Sequence, residues 1–169
     1  KLTLMIVPHS QGKVFSVHGD KLMKNSGLLK NKTLIIGCGR LGSSIANKDS
    51  SSGKNVMIMD SDPMSFEKLS EGFSGYTFVG DATDMSLLEE AYITSTKEII
   101  ITTGDDNTNV FLALVARKIY NVPQIYVRLD DPNLEVLLEN CDVHAIYPFK
   151  LSLEEFLDIR EKNDGGLKK

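Results

Sequence analysis

Gly37-Cys38-Gly39-Arg40-Leu41-Gly42 places three glycines where a backbone turn can cradle an anion. The first permits a tight turn, the second lets backbone approach a phosphate, and the third lets a following helix pack close to the preceding strand. The helix start would add N–H groups without intrahelical partners and the positive end of the helix dipole. Arg40 is the cation of the loop, and it either reaches phosphate oxygens or stays solvated. Cys38 reads as a small packed residue rather than a reactive thiol. The next apolar run, Val56-Met57-Ile58-Met59, ends in Asp60, whose carboxylate can accept hydrogen bonds from both hydroxyls of an adenosine ribose. Glycines used only for packing are the alternative. Strand before, helix after and acid at the next strand end favour a nucleotide.

In an open α/β sheet, ligand binds at the carboxyl ends of the strands near the point where strand order reverses. The segments expected there are the glycine loop, Asp60-Ser61-Asp62, Gly80-Asp81-Ala82-Thr83 and Thr102-Thr103-Gly104-Asp105-Asp106. Asp81 is either a partner for the adenine edge or a turn residue. Thr102, Thr103 and Gly104 should line the phosphate side. The three histidines, His9, His18 and His144, lack metal-ligand spacing. No Ser/His/Asp or Cys/His set is suggested, and nothing proposes a proton donor for hydride transfer. A nucleotide site without catalytic apparatus points to sensing.

The elements that must hold these residues alternate. Strands are expected at Thr33–Ile36, Val56–Asp60, Tyr76–Val79, Glu98–Thr102, Gln124–Arg128 and His144–Tyr147. Helices should fill the gaps: from Arg40 to about Lys48, after the Asp62-Pro63 and Asp131-Pro132 cap-and-proline pairs, and after Asp84. Asp49–Gly53 reads as a polar loop. The pattern predicts an α/β, Rossmann-like, doubly wound parallel sheet in three layers with strand order 3-2-1-4-5-6. Val110–Ala116 leaves no polar face, so that helix lies in the core or against a second subunit. Residues 1–30 fall outside the repeat as an arm or hairpin, 31–162 form the nucleotide-binding domain, and 163–169 form a tail.

The 169 residues fit one domain, with 41% apolar and 25% charged residues. A net charge of −4 argues against nucleic acid. No apolar run has the length of a membrane span, and the first residues show no signal-peptide core. The chain begins with Lys, consistent with a missing or processed N-terminus. Two cysteines suggest no disulfide framework and, by default, a reducing cytoplasm.

From about Lys32 to Leu157 the chain resembles the KTN domain (RCK N-terminal, TrkA-N), the nucleotide-binding regulator of potassium transporters and channels. The resemblance rests on Ile35-Ile36-Gly37-Cys38-Gly39-Arg40-Leu41-Gly42, Met59-Asp60 and Val79-Gly80-Asp81-Ala82-Thr83-Asp84. It continues through Gly104-Asp105-Asp106-Asn107-Thr108-Asn109 and Tyr126-Val127-Arg128-Leu129-Asp130-Asp131-Pro132. It implies a non-enzymatic domain that binds NAD(H), ATP, ADP or AMP, with Asp60 on the ribose, Asp81 and Ala82 beside the adenine, and Arg40 facing the phosphates. Arg128 would lie near a dimer cleft. It also implies a homodimer or higher oligomer, a last helix from about Leu151 to Arg160 that reaches the partner subunit, and a cytoplasmic location beside a membrane potassium transporter or channel subunit. A small NAD-dependent oxidoreductase and a nucleotide-binding scaffold with an unrelated partner are the competing readings. No second, C-terminal ligand-binding subdomain is visible.

Overall fold

Alternating side chains on short apolar strands give a sheet with two buried faces, and both are covered. The computed structural model describes residues 32–164 and the backbone of 5–8 and 15–16. Its strands are β1 (Met5–Pro8), β2 (Phe15–Ser16), β3 (Lys32–Ile36), β4 (Val56–Asp60), β5 (Tyr76–Val79), β6 (Thr96–Ile101), β7 (Gln124–Arg128) and β8 (His144–Ile146). They form one sheet in the order β2-β1-β5-β4-β3-β6-β7-β8. β3 to β8 are parallel and follow the expected 3-2-1-4-5-6 order. β1 pairs antiparallel with β2 and with β5. The expected arm at 1–30 otherwise lies outside the described residues, as do 165–169 of the expected tail.

The α-helices are α1 (Arg40–Ser51), α2 (Met85–Glu90), α3 (Asp106–Lys118) and α4 (Pro148–Asp164). One face of the sheet packs Leu34, Met57, Phe78, Ile99 and Val127 with Leu88 of α2 and Leu112 of α3. The opposite face packs Ile35, Ile58 and Ile100 with Ala46 of α1, Phe66 and Phe73. Neighbouring residues such as Leu34 and Ile35 point to opposite layers, as strand geometry requires.

Three expectations need correction, and the open alternative for α3 falls to the core. Asp49 to Ser51 are not loop but the last turn of α1. Ser50 is held there because its hydroxyl accepts from the Ser74 N–H at 2.9 Å, and the chain turns only at Gly53 with φ +78°. The segments after Asp62 and Asp131 are 3₁₀ helices, Pro63–Lys68 and Pro132–Leu138, rather than α. Residues three apart, such as Phe66 and Leu69, share a face in either helix type, so their spacing does not separate the two. α4 starts at Pro148 and runs through Asn163 and Asp164. α3 mostly needs no partner. Val110, Leu112, Ala113, Val115 and Ala116 are buried on the chain's own sheet, and Phe111 is left 44% exposed.

At the opposite end of the sheet from the glycine loop, Lys32 is 2% exposed. Its Nζ donates to the Ala91 carbonyl at 2.7 Å and lies 4.9 Å from the centre of the Tyr92 ring. Burial pulls its pKa down to about 7. The folded state therefore holds the neutral amine at pH values where the unfolded chain still binds the proton, so stability rises with pH from about 7 to the ordinary lysine value of 10.5. Lys32→Met, which has no amine to titrate, is expected to flatten that rise. Urea unfolding of both proteins at pH 7 and pH 10 checks it, and parallel pH profiles would contradict it.

Candidate functional site

A cleft of about 710 Å³ opens at the carboxyl ends of β3, β4, β5, β6 and β7. Gly37, Gly39, Arg40, Asp60, Ser61, Asp81, Ala82, Thr102, Thr103, Gly104 and Arg128 all line it. Cys38, Leu41 and Gly42 of the expected set do not. Cys38 is fully buried behind the loop, and Gly42 packs inward.

The turn is built by contact. Gly37 has φ +95°, and a Cβ there would sit 2.7 Å from the Thr102 carbonyl oxygen. A Cβ on Gly42 would fall inside the Gly37 carbonyl and 2.7 Å from the Thr102 hydroxyl. That hydroxyl lies 3.1 Å from the Gly37 carbonyl and 3.2 Å from the Ile36 carbonyl, both acceptors for its proton. Gly39 differs, since a Cβ there would meet nothing within 4 Å. Its open side faces the cleft.

α1 begins at this turn without a side-chain cap and without an acid in its first turn. By contrast, the helical segments after Asp62, Asp84, Asp105 and Asp131 are each capped by that aspartate, which accepts a backbone N–H at 2.7–2.9 Å. The first-turn N–H groups of α1 are thus presented to the cleft. Asp60 locks the loop in place. Its Oδ2 accepts the Cys38 N–H at 2.6 Å, and its Oδ1 accepts the Asp62 N–H at 2.9 Å. A carboxylate has about four lone-pair sites, so both oxygens keep capacity for further donors. Asp81 accepts the Thr83 N–H and hydroxyl at 2.9 and 2.8 Å, a turn arrangement on the cleft wall. Burial, then the Asp60 carboxylate, push the Cys38 thiol up to about 11, partly opposed by Lys68, so it stays protonated at neutral pH.

The β6–β7 side is organised by Asn109 and Asp106, two residues that the motifs contain but to which the sequence reading gave no role. Asn109 is fully buried. Its Oδ1 accepts the Thr103 N–H and hydroxyl at 3.1 and 2.6 Å, and its Nδ2 donates to the carbonyls of Thr103 and Arg128 at 3.2 and 3.0 Å. Asp106 Oδ2 accepts the N–H groups of Asp130 and Asp131, both at 2.8 Å. A polar residue beside the Val110–Ala116 run was the available signal for Asn109, because a buried amide must be satisfied. Ser65 and Lys68 also line the cleft. Their i, i+3 spacing puts them on one face of the 3₁₀ turn. The cations around the cleft are Arg40, Lys68 and Arg128, and the acids are Asp60, Asp81 and Asp105.

Strand order, glycine turn and cleft define a Rossmann-type domain. Residues 33–148 match the TrkA-N domain, and the chain belongs to that family. Among curated relatives, the Trk system potassium uptake protein TrkA of Streptomyces coelicolor is 29% identical over 124 residues, which cover 73% of this chain and 56% of the relative. Potassium channel protein 1 of Methanocaldococcus jannaschii is 32% identical over 133 residues, which cover 76% of this chain and 39% of the relative. The chain thus spans about half or less of these relatives. Among solved structures, the TrkA-N domain of the inner membrane protein ybaL from Escherichia coli superposes with a TM-score of 0.68 at 17% identity, covering 77% of this chain and 96% of that one. GsuK bound to ADP gives 0.68 at 24% identity, covering 79% and 34%. The AMP-bound Kef C-terminal domain of Shewanella denitrificans gives 0.64 at 21% identity, covering 82% of each chain.

The contrast between two glycines is testable. Gly39 has extended backbone, φ −73° and ψ −170°, which a β-branched residue adopts readily. Gly39→Val is expected to keep the fold and abolish adenine nucleotide binding. Gly42→Ala is expected to destabilise by about 1–3 kcal/mol through overpacking. Calorimetric titration with ADP, paired with urea unfolding, separates the effects. A Gly39→Val protein that titrates like the wild type would rule the loop out as the site.

Proposed function

We propose that this chain is a nucleotide-sensing regulatory subunit or domain of a membrane potassium transport system, non-enzymatic, cytoplasmic and peripheral to the membrane through its transporter partner. The observation that carries the reading is the convergence of uncapped α1 N–H groups, the open Gly39 and the Asp60 carboxylate on one cleft. Potassium uptake and channel proteins among the relatives support the transport assignment. ADP and AMP in the related structures support an adenine nucleotide. NAD(H) and ATP share the same adenosine and phosphate groups. Among the described residues no helix is long and apolar enough to cross a membrane.

In this assignment Asp60 takes the ribose diol, Asp81 and Ala82 border the adenine, and α1 with Arg40 takes the first phosphate. Ser61 and Thr102 to Gly104 complete the walls, and Arg128 stands beyond. A carboxylate on the diol repels a 2′-phosphate, so NADPH is expected to bind worse than NADH. Asp60→Ala is expected to weaken NADH binding, by about tenfold if two hydrogen bonds of modest net worth are lost. Titration of wild type and variant with both dinucleotides checks this. NADPH binding equal to or tighter than NADH, or an unchanged affinity in Asp60→Ala, would remove Asp60 from the site.

We further propose a homodimer, or a higher oligomer built from it, through α4. Phe149, Leu153 and Phe156 fall at helical spacing on one face and are 71%, 47% and 57% exposed. Exposed large apolar side chains aligned on one helix face support an interface there. Sedimentation equilibrium at micromolar concentration is expected to give the dimer mass, and Phe156→Asp to shift it toward monomer. A single species at monomer mass for the wild type would reject the assembly.

A further inference from the structure

At the far end of the cleft, Arg128 does not face ligand space as a free cation. Its Nη2 donates to Asp130 Oδ2 at 2.6 Å, and its Nε lies 3.3 Å from Asp130 Oδ1, a two-pronged pair. The Asp130 side chain is half exposed and the Arg128 side chain 29% exposed, so water and ligand can reach both. Backbone on either side of the pair is fixed by the first turn of α3. The Arg128 carbonyl accepts from Asn109 Nδ2 at 3.0 Å, and the Asp130 N–H donates to Asp106 Oδ2 at 2.8 Å. The pair can therefore open by side-chain rotation, without moving the strand end.

We propose that the Arg128–Asp130 pair is a charge latch that reads whether the bound nucleotide carries a second phosphate. The proposal rests on the nucleotide site described above. The first phosphate belongs at the N-terminus of α1, at the end of β3. β7 lies two strands away, roughly 10 Å at ordinary strand spacing. A monophosphate held on the glycine loop stops short of Arg128, and the guanidinium keeps its aspartate. A diphosphate carries its second phosphate one P–O–P link further toward Thr103 and Gly104, where the long Arg128 side chain, which lines the same cleft, can swing off Asp130 to meet it. The phosphate oxygens therefore compete with the Asp130 carboxylate for the same planar fork of donors. The latch thus lowers affinity for the diphosphate relative to what an unpaired Arg128 would give, and makes Arg128 exchange partners when a diphosphate arrives.

AMP and ADP differ only in that second phosphate, so they are the probes. Calorimetric titration of the full chain, of Asp130→Asn, of Arg128→Gln and of the double variant gives the ADP-to-AMP affinity ratio for each. Asp130→Asn is expected to raise that ratio by about five-fold, the upper end for a partly exposed ion pair. Arg128→Gln is expected to lower it, and the double variant should match Arg128→Gln. An unchanged ratio in Asp130→Asn overturns the latch. So does a gain that persists in the double variant, since it would come only from removing a negative charge near the cleft. Failure of the wild type to bind either nucleotide would instead refute the underlying site, and the latch with it.

Discussion

The close approach of α1 to the ends of β3 and β6 is the constraint on which the rest depends. It exists because Gly37 and Gly42 have no Cβ and because the Thr102 hydroxyl lies between the Ile36 and Gly37 carbonyls. Were α1 an ångström or two further out, its first-turn N–H groups would no longer face the same space as the Asp60 carboxylate. Asp60 in turn anchors the loop through the Cys38 N–H. One carboxylate therefore both shapes the glycine turn and stands at the rim of the cleft. The Cys38 side chain, buried against that arrangement, contributes packing.

The second half of the cleft is framed by a different device. α3 sends two side chains from its first turns, Asp106 and Asn109, to the backbone after β6 and β7. These bonds satisfy peptide groups where strands stop and ladder partners run out, a place where unpaired backbone would be costly. They also hold Thr103 and Arg128 in fixed positions on the cleft wall. The glycine half is positioned by the absence of side chains, and the β6–β7 half by polar ones.

That difference explains what the sequence made legible. Six parallel strands and their order followed from apolar runs separated by cap and turn residues, because a strand buried on both faces must be apolar along its length. The turn that shapes the glycine half was equally legible, since the requirement at Gly37 and Gly42 is steric and glycine alone meets it. The roles of Asn109 and Asp106 were not, although the motifs contain both, because an amide or a carboxylate at a helix start reads as a cap or as solvated surface until the backbone it bonds is in place. Helix type after Asp62 and Asp131 was hidden for another reason. Apolar residues three apart satisfy a 3₁₀ turn and an α-helix alike. The end of α1 was hidden because its polar last turn is held by a long-range bond from Ser50 to Ser74.

The same polar frame links the cleft to the surface offered by α4. The Leu129 N–H, between Arg128 and Asp130, donates to the Ile146 carbonyl at 2.9 Å, and the Leu151 N–H donates to the Tyr147 carbonyl at 3.1 Å. From the first turn of α3, through 128–131, to the end of β8 and the root of α4, every step is a hydrogen bond or a peptide bond. Contiguity of this kind is a route and not yet a coupling. Coupling requires an element with two discrete arrangements that ligand and partner bias differently. Arg128 has two candidate partners of the same charge, the Asp130 carboxylate and a ligand phosphate, and it sits where the route meets the cleft. If nucleotide identity is to reach α4, the exchange at Arg128 is the step at which the protein has a choice.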